Sequence, residues 1–412
     1  MAAAPDRPTI LSFEDARHLV EQHAAALPPG EAERVPLLEA AGRVLAQPVL
    51  ADRDFPPFRR VMRDGYAVQA ADLARLPATL DVVGEVKAGA TPEGMLARVG
   101  AGQAAVIMTG APAPDGADAV VMVEHTFRKG DQVTVTRAVH HGENIVAAGS
   151  EARRGETLLD AAVRIDHTVL AVAASVGESE PPVYRRPRVS LLATGDELVE
   201  VSARPGPTQI RNSNSYSLAA QVVDAGAVPI LLGIARDEVG DLRRLLARGL
   251  EEGDLLLLSG GVSMGQYDLV EQVLAELGAE FFFTGVLIQP GRPVVFGRAR
   301  GKYFFGLPGN PVSTMVTFVL FVQPMLHALC GLRPQKLVFL QARLKTEIRT
   351  KTGLKRFLPA VLCGEFERAE VEVVRWQGSG DVVSAARANC YVVIPPDREG
   401  IAPGEWVAVM MR

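Results

Sequence analysis

Three stretches of the chain combine a buried-strand pattern with a turn suited to meet an anion. Between residues 255 and 265 the chain reads LLLLSGGVSMG, and Asp268 lies just beyond. Four leucines in a row suit a strand buried on both faces. Gly260 and Gly261 let the backbone turn tightly and approach a ligand, with Ser259 and Ser263 as polar neighbours. A helix is expected from Asp268, so free N–H groups would face a turn of the kind that binds phosphates and other oxyanions. SLLATGDEL (190–198) and FFGLPGNPVS (304–313) repeat the construction. Together the three predict one anion site at the carboxyl edge of a parallel sheet.

The acids near these turns suggest a cation. TGDEL places Thr194 and Gly195 at a strand end, with Asp196 and Glu197 directly beyond. Carboxylates repel a phosphate unless a divalent cation lies between them, and Mg²⁺ uses one or two carboxylates plus ligand oxygens and water. The alternative is a helix N-terminus with acids favoured by the dipole. Asp237 in GIARDEVG and Asp268 carry the same ambiguity. In LPGNPVS, Pro308 and Pro311 stiffen the backbone around Gly309 and Asn310, while Asn310 and Ser313 can reach inward. Asp64 in RDGYAV reads by itself as a tight turn, and it gains weight only if it meets the other acids across an interface. Thr109 stands at a strand end before a stiff Ala-Pro-Ala-Pro run. Glu151, beside Arg153 and Arg154, is a metal candidate or a solvated loop residue. Lys355, Arg356 and Ser379 belong either to a solvated face or to a lid that closes on phosphate across a cleft.

These residues need a scaffold, and the composition allows a large one. The chain has 412 residues, which predicts two to four domains with ample core. Charged residues are 22% and the formal net charge is −5, with no Lys/Arg run of the kind that binds nucleic acid or a membrane surface. Cys330, Cys363 and Cys390 are odd in number, widely spaced and match no zinc pattern. They fit a reducing compartment, and the start MAAAPDRPTILSFEDA lacks a signal-peptide pattern, so a cytoplasmic location is expected. Residues 312–330 are apolar and nearly long enough to span a membrane, but their polar side chains and Pro324 predict a buried helix.

A coarse pass along the chain predicts three regions. Residues 1–183 read as a helical and β-rich N-terminal region in two subdomains. Helices are expected over 12–26 (capped by Ser12), 35–46 and 161–176. Between 50 and 180, short runs such as LDVVGEV, AAVIMTG, ADAVVMVE and DQVTVTR read as strands. The Pro-rich joint 178–187 precedes an α/β domain at 184–332. Its strands fit 188–193, 227–233, 254–258 and 302–306; its helices fit 214–225 (capped by Asn212 or Ser213), 239–250, 268–277 and 312–330. Alternation of this kind implies a doubly wound parallel sheet with helices on both faces. Residues 333–412, with VVRW, YVVIP and WVAVMM, read as a small β domain.

Taken in order, DGYAV, TGAPAPDGADAVVMVE, the GENI run, TGDEL, IRNSNSYSL, SGGVSMGQYD and LPGNPVS resemble the molybdopterin molybdenumtransferase family, whose domain also forms the C-terminal part of the scaffold gephyrin. The resemblance runs from about residue 8 to the C-terminus, and its specificity lies in the ordered set. It implies an elongated N-terminal part, a molybdopterin-binding α/β domain and a C-terminal β-barrel. It further implies a homodimer in which the N-terminal β region of one chain covers the α/β domain of the other. The activity implied is insertion of molybdate into adenylylated molybdopterin with release of AMP, assisted by Mg²⁺. Partners would be the molybdopterin adenylyltransferase and apo-molybdoenzymes or their chaperones. By motif, Asp64, Thr109, Glu197, Asp237, Asp268, Pro308 and Pro311 would fall at the active site, and Ser379 matches a serine of the C-terminal domain. Glu197 and Asp268 would hold the cation, with Glu151 standing where an aspartate is common. Arg63 or Arg292 would supply positive charge for molybdate. Gly285, Gln289 and Pro359 depart from the family by lacking charges that some members carry there.

Two other readings remain. A molybdopterin adenylyltransferase shares the α/β domain but has a GGTG-type loop and a single short domain, whereas this chain has GGVSMG and two flanking domains. A non-catalytic scaffold would need no retained acids. Tungstate and molybdate have nearly equal size and charge, so the sequence does not separate them.

Overall fold

A computed structural model of the chain describes residues 9–89, 98–261 and 269–412. Its centre is a six-stranded sheet in the order Val228–Ala235, Arg188–Thr194, Leu255–Ser259, Lys302–Leu307, Val295–Ala299, Glu280–Phe283. The first four strands are parallel, as the alternation predicts. The last two are antiparallel, so the sheet is mixed. Those two strands escaped the sequence reading because EFFF and VFGRA are short and lack a clean period.

The run of leucines shows why the sheet is buried on both faces. Successive strand side chains point to opposite sides. Leu255 and Leu257 enter one core, with Leu218, Val222, Phe305 and Val316. Leu256 and Leu258 enter the other, with Leu242, Leu246, Val273 and Leu274. Helices Asn214–Asp224 and Pro311–Thr317 cover the first face, and Val239–Glu252 and Leu269–Glu276 the second. Each fully buried leucine contributes roughly 1.5–3 kcal/mol. The apolar stretch 311–329 is helical throughout, and most of it is buried in the core. A π turn, Phe318–Val322, precedes Pro324. Proline has no N–H to donate to the carbonyl four residues back. That carbonyl, Leu320 O, accepts instead from the buried Arg17 guanidinium.

The N-terminal helix belongs physically to this centre. Phe13–Ala25 is capped by Ser12, whose side chain accepts from Asp15 N. Its stripe Phe13, Ala16, Val20 and Ala24 packs into the first core. The short strand Ile10–Leu11 pairs with Gly285–Val286. The remaining N-terminal region has two parts. One is a six-stranded sheet in the order Ala119–Met122, Gly65–Val68, Gln103–Ile107, Ala78–Val86, Gln132–Val135, Thr126–Lys129, of which four strands match the Val-rich runs and Gly65–Val68 and Thr126–Lys129 do not. The other packs helix His167–Ser175 against the paired strands Ala32–Arg34 and Pro182–Tyr184.

Two helices are shorter than predicted. Over 35–46 only one 3-10 turn forms, Leu37–Ala40. Residues 43–46 are instead held extended, with Leu45 N donating to Val163 O and Ala46 N to Pro182 O. The same pairing shortens 161–176 to His167–Ser175, because Ala162 N and Ile165 N donate to Leu45 O and Arg43 O. Asp166 caps the helix by accepting from Thr168 N and Val169 N.

The C-terminal region is a closed five-stranded barrel of Lys355–Cys363, Glu370–Val373, Phe339–Leu344, Trp406–Met411 and Cys390–Ile394, the last pairing back to the first. Ile288–Gln289, from the central region, adds alongside Lys355–Arg356 and ties the barrel to the sheet.

Candidate active site between the central sheet and the barrel

The three predicted turns meet. Thr194, Ser259 and Leu307 end adjacent parallel strands, and Gly260 N donates to Leu307 O at 3.2 Å. Two glycines are obligatory there. A Cβ on Gly260 (φ +87°) would lie 2.5 Å from Thr194 O, and one on Gly261 (φ +64°) would lie 2.4 Å from Thr194 Oγ1.

Asn214, at the start of helix Asn214–Asp224, joins the turns. Its Nδ2 donates to Ser259 Oγ at 2.7 Å and to Gly309 O at 2.7 Å. The motif IRNSNSYSL contains this residue, but nothing in the spacing separates it from Asn212, which caps the helix by accepting from Ser215 N. Ser213 makes no side-chain cap. Thr194 Oγ1 and Asn214 Oδ1 are buried without a hydrogen-bond partner among the described residues. Buried polar atoms are rarely left so unless a ligand or water completes them. Both residues line a cavity of about 520 Å³, with Glu197, Arg211, Ser259, Gly260, Asn310 and Pro311.

A second cavity, of about 420 Å³, shares Asn310 with the first. It is lined by Gln289, Arg292, Pro308, Ser313, Trp376 and Ser379, among others. Asn310 Nδ2 donates to Ser379 Oγ at 2.9 Å, and Val312 N donates to Ser379 O at 3.0 Å. Ser379 therefore seats the barrel on the start of the long helix, and one of that helix's free N–H groups is spent on the barrel. Arg356 is buried beside this cavity, with Nε donating to Gln289 Oε1. Lys355 does not close over the cleft. It pairs with Glu14 and lies over the Phe13 ring.

The acids divide into two places. Asp196, Glu197 and Asp237 gather beyond the first strand end, where Glu197 lines the first cavity and Asp237 N donates to Asp196 Oδ1 at 3.3 Å. Desolvation, then the charges of Asp196 and Glu197, push the Asp237 carboxyl above the usual range. Asp237 does not cap the following helix; Asp241 accepts from Arg236 N there instead. Among the described residues no three His, Cys, Asp or Glu side chains form a ready-made metal site. Ser263 and Asp268 lie outside the described residues.

Asp64 and Thr109 meet on the N-terminal sheet. Thr109 N and Oγ1 donate to Asp64 Oδ1 at 2.6 and 2.8 Å, which holds the carboxyl below its usual range, the backbone bond first. Both are exposed, and neither lines the two cavities of its own chain. Glu151, in the same N-terminal region, is engaged by Arg60, whose Nη2 donates to its Oε1 at 3.0 Å. Arg63 is exposed next to Asp64.

Comparison with known proteins finds three matched segments. Residues 11–177 match the MoeA N-terminal region (domain I and II), 190–328 a probable molybdopterin binding domain, and 341–411 the MoeA C-terminal region (domain IV). The molybdopterin molybdenumtransferase of Nostoc is 36% identical, over 92% of this chain and 88% of its own. That of Bacillus subtilis is 34% identical, over 93% and 90%. Two crystal structures of the molybdopterin biosynthesis protein MoeA of Pyrococcus horikoshii superpose with TM-scores of 0.74 and 0.79, at 33% and 30% identity. They cover 98% of this chain and 99% and 100% of theirs.

Proposed function

The chain belongs to the molybdopterin molybdenumtransferase family, a transferase family of molybdenum cofactor biosynthesis, and we propose that it inserts molybdenum from molybdate into adenylylated molybdopterin with release of AMP. One observation carries the reading: two cavities share Asn310 at the ends of three parallel strands, and among the described lining residues the first pairs Glu197 with Arg211 while the second carries Arg292 alone. The first offers buried acceptors, Thr194 Oγ1 and Asn214 Oδ1, and a carboxylate, Glu197. A pterin is rich in N–H donors, and its phosphoanhydride lies best on the Gly260–Gly261 turn. The second is lined by Arg292, Gln289, Ser313 and Ser379, with no carboxylate among its described lining residues, which suits a tetrahedral dianion such as molybdate. Tungstate fits the same description.

Mg²⁺ suits the acids gathered around Glu197. Their mutual repulsion, felt at Asp237, is relieved by a cation, and hard oxygens are its preferred donors. Glu197 and Asp237 would hold it, with Asp268 as a further donor. Bound there, it would neutralise phosphate charge and polarise the phosphoanhydride. The protein's own part is to orient the two substrates. Asn214 keeps the turns aligned, Ser379 keeps the barrel against Asn310, and the walls exclude water.

Asp64 and Thr109 enter from a second copy in this reading. They are exposed, with the apolar Met62, Met108 and Val123 exposed beside them, a rim suited to cover another chain. A mixed dimer of Asp64→Ala and Glu197→Ala chains should regain activity from one intact site. The reading is tested by supplying adenylylated molybdopterin, molybdate and Mg²⁺ to wild type and Glu197→Ala, and measuring AMP and inserted molybdenum. Wild type is expected to release both products and the variant neither. Wild-type insertion rates in the variant, or undiminished turnover under a chelator, would overturn it. Accumulation of adenylylated pterin from molybdopterin and ATP would point to an adenylyltransferase instead.

A further inference from the structure

The strand Lys355–Cys363 sends neighbouring side chains to opposite faces. Lys355 turns toward the N-terminal helix, where Glu14 pairs with it and the Phe13 ring lies 4.5 Å away. Arg356 turns the other way. It is only 8% exposed, yet no carboxylate lies within ion-pair distance among the described residues. Its Nη1 donates to Leu354 O at 3.1 Å, and its Nε donates to Gln289 Oε1 at 2.9 Å. Gln289 is its register partner on the adjoining parallel strand.

A buried cation without a counter-ion is costly unless an anion completes it. An amide has one accepting end and one donating end. The guanidinium requires the oxygen of Gln289, so the NH₂ is the end left for a ligand. That NH₂ has no acceptor among the described residues, and Gln289 lines the second cavity with Arg292, Ser313 and Ser379.

We propose that Gln289 binds the oxyanion through its amide NH₂, and that Arg356 is a positioning residue that fixes this orientation and polarises the amide. The proposal rests on the reading of the second cavity as the molybdate pocket. It explains how that pocket holds a dianion although Arg292 is the one charged side chain among its described lining residues. The buried guanidinium acts through the glutamine, polarising the amide and strengthening its donation.

The test measures molybdate binding to the full-length protein by equilibrium dialysis, and the KM for molybdate against kcat. Gln289→Met removes the donor and should weaken molybdate about tenfold, the worth of one good hydrogen bond, with kcat little changed. Arg356→Met should weaken it similarly, because the amide is then free to turn. The double variant should be no weaker than Gln289→Met alone, since Arg356 acts only through that side chain. Gln289→Glu keeps the fold by forming an ion pair with Arg356, and should lose molybdate binding most. Effects of the two single changes that multiply in the double variant would overturn the proposal, as would wild-type affinity in Gln289→Glu. Wild-type protein that binds no molybdate would overturn the underlying reading of the cavity, and this proposal with it, whereas failure of the variants alone leaves that reading standing.

Discussion

Replacing Asn214 by aspartate tests how the site is held together. The two side chains have the same shape, so packing is preserved. The change replaces the Nδ2 donor, which serves Ser259 Oγ and Gly309 O at 2.7 Å each, by an acceptor. Ser259 can turn its hydroxyl and donate to the new oxygen. The Gly309 carbonyl cannot, and it is left facing a carboxylate. Loss of one hydrogen bond costs about 1 kcal/mol, and an acceptor left unsatisfied opposite another adds roughly 1–2 kcal/mol. The sum, roughly 2–3 kcal/mol, should fall on the turns and not on the whole chain. Tryptophan fluorescence is the wrong probe, because Trp376 and Trp406 both lie in the C-terminal region. Hydrogen exchange of peptides covering 255–261 and 304–312 is the right one. Exchange by local opening should accelerate about 30- to 150-fold, and kcat/KM for molybdenum insertion should fall with it. Acceleration below about threefold would refute the idea that Asn214 holds the turns together.

Three further outcomes follow from the same geometry. Gly260→Ala should destabilise the central region by roughly 2–4 kcal/mol in urea denaturation, combining a positive φ with a Cβ 2.5 Å from Thr194 O; a change under about 1 kcal/mol would contradict the close approach. Thr109→Val removes the hydroxyl donor and should raise the Asp64 pKa in a carboxyl NMR titration. Because that pKa is depressed in the fold, the stability it confers is present above the unfolded value and is lost as pH falls through the folded one; an unmoved titration would show that the hydroxyl contributes nothing. Burial lowers the His327 pKa to about 4, so the unfolded chain takes up a proton near 6.5 before the native state does. Stability should therefore fall as pH drops from 6.5 toward 4, by up to roughly 3 kcal/mol, and His327→Gln should flatten that slope in denaturation series; an unchanged slope would refute it.

Local patterns made much of the fold readable. The helix 13–25 follows from its Ser12 cap and apolar stripe, and the Val-rich runs from 78 to 135 are strands. The pattern of strand, glycine turn and helix located Thr194, Ser259, Gly260, Pro308 and Asn310 in one place. The misreadings have one cause. Residues 43–46 and 162–165 carry helical sequence, but they satisfy their backbone groups by pairing with each other and with 182–184, partners far away in sequence. The strands Glu280–Phe283 and Val295–Ala299 are likewise defined by their neighbours more than by a period of their own.

Residue types alone establish which chemistry is on offer: acids beside phosphate-suited turns, glycines where only glycine fits, and a family signature spread along the whole chain. They do not establish which side chains face one another. Lys355 and Arg356 look like one basic pair in the sequence, yet the strand's alternation sends one to Glu14 and the other to Gln289. Asn214 is one asparagine among several in its motif until folding sets it between two turns that lie 45 and 95 residues away. Asp64 and Thr109, 45 residues apart, become one unit through strand pairing but do not line the cavity that Glu197 lines. Hydrogen bonds and charges act over a few ångströms, and only tertiary packing decides which distant residues come within that reach.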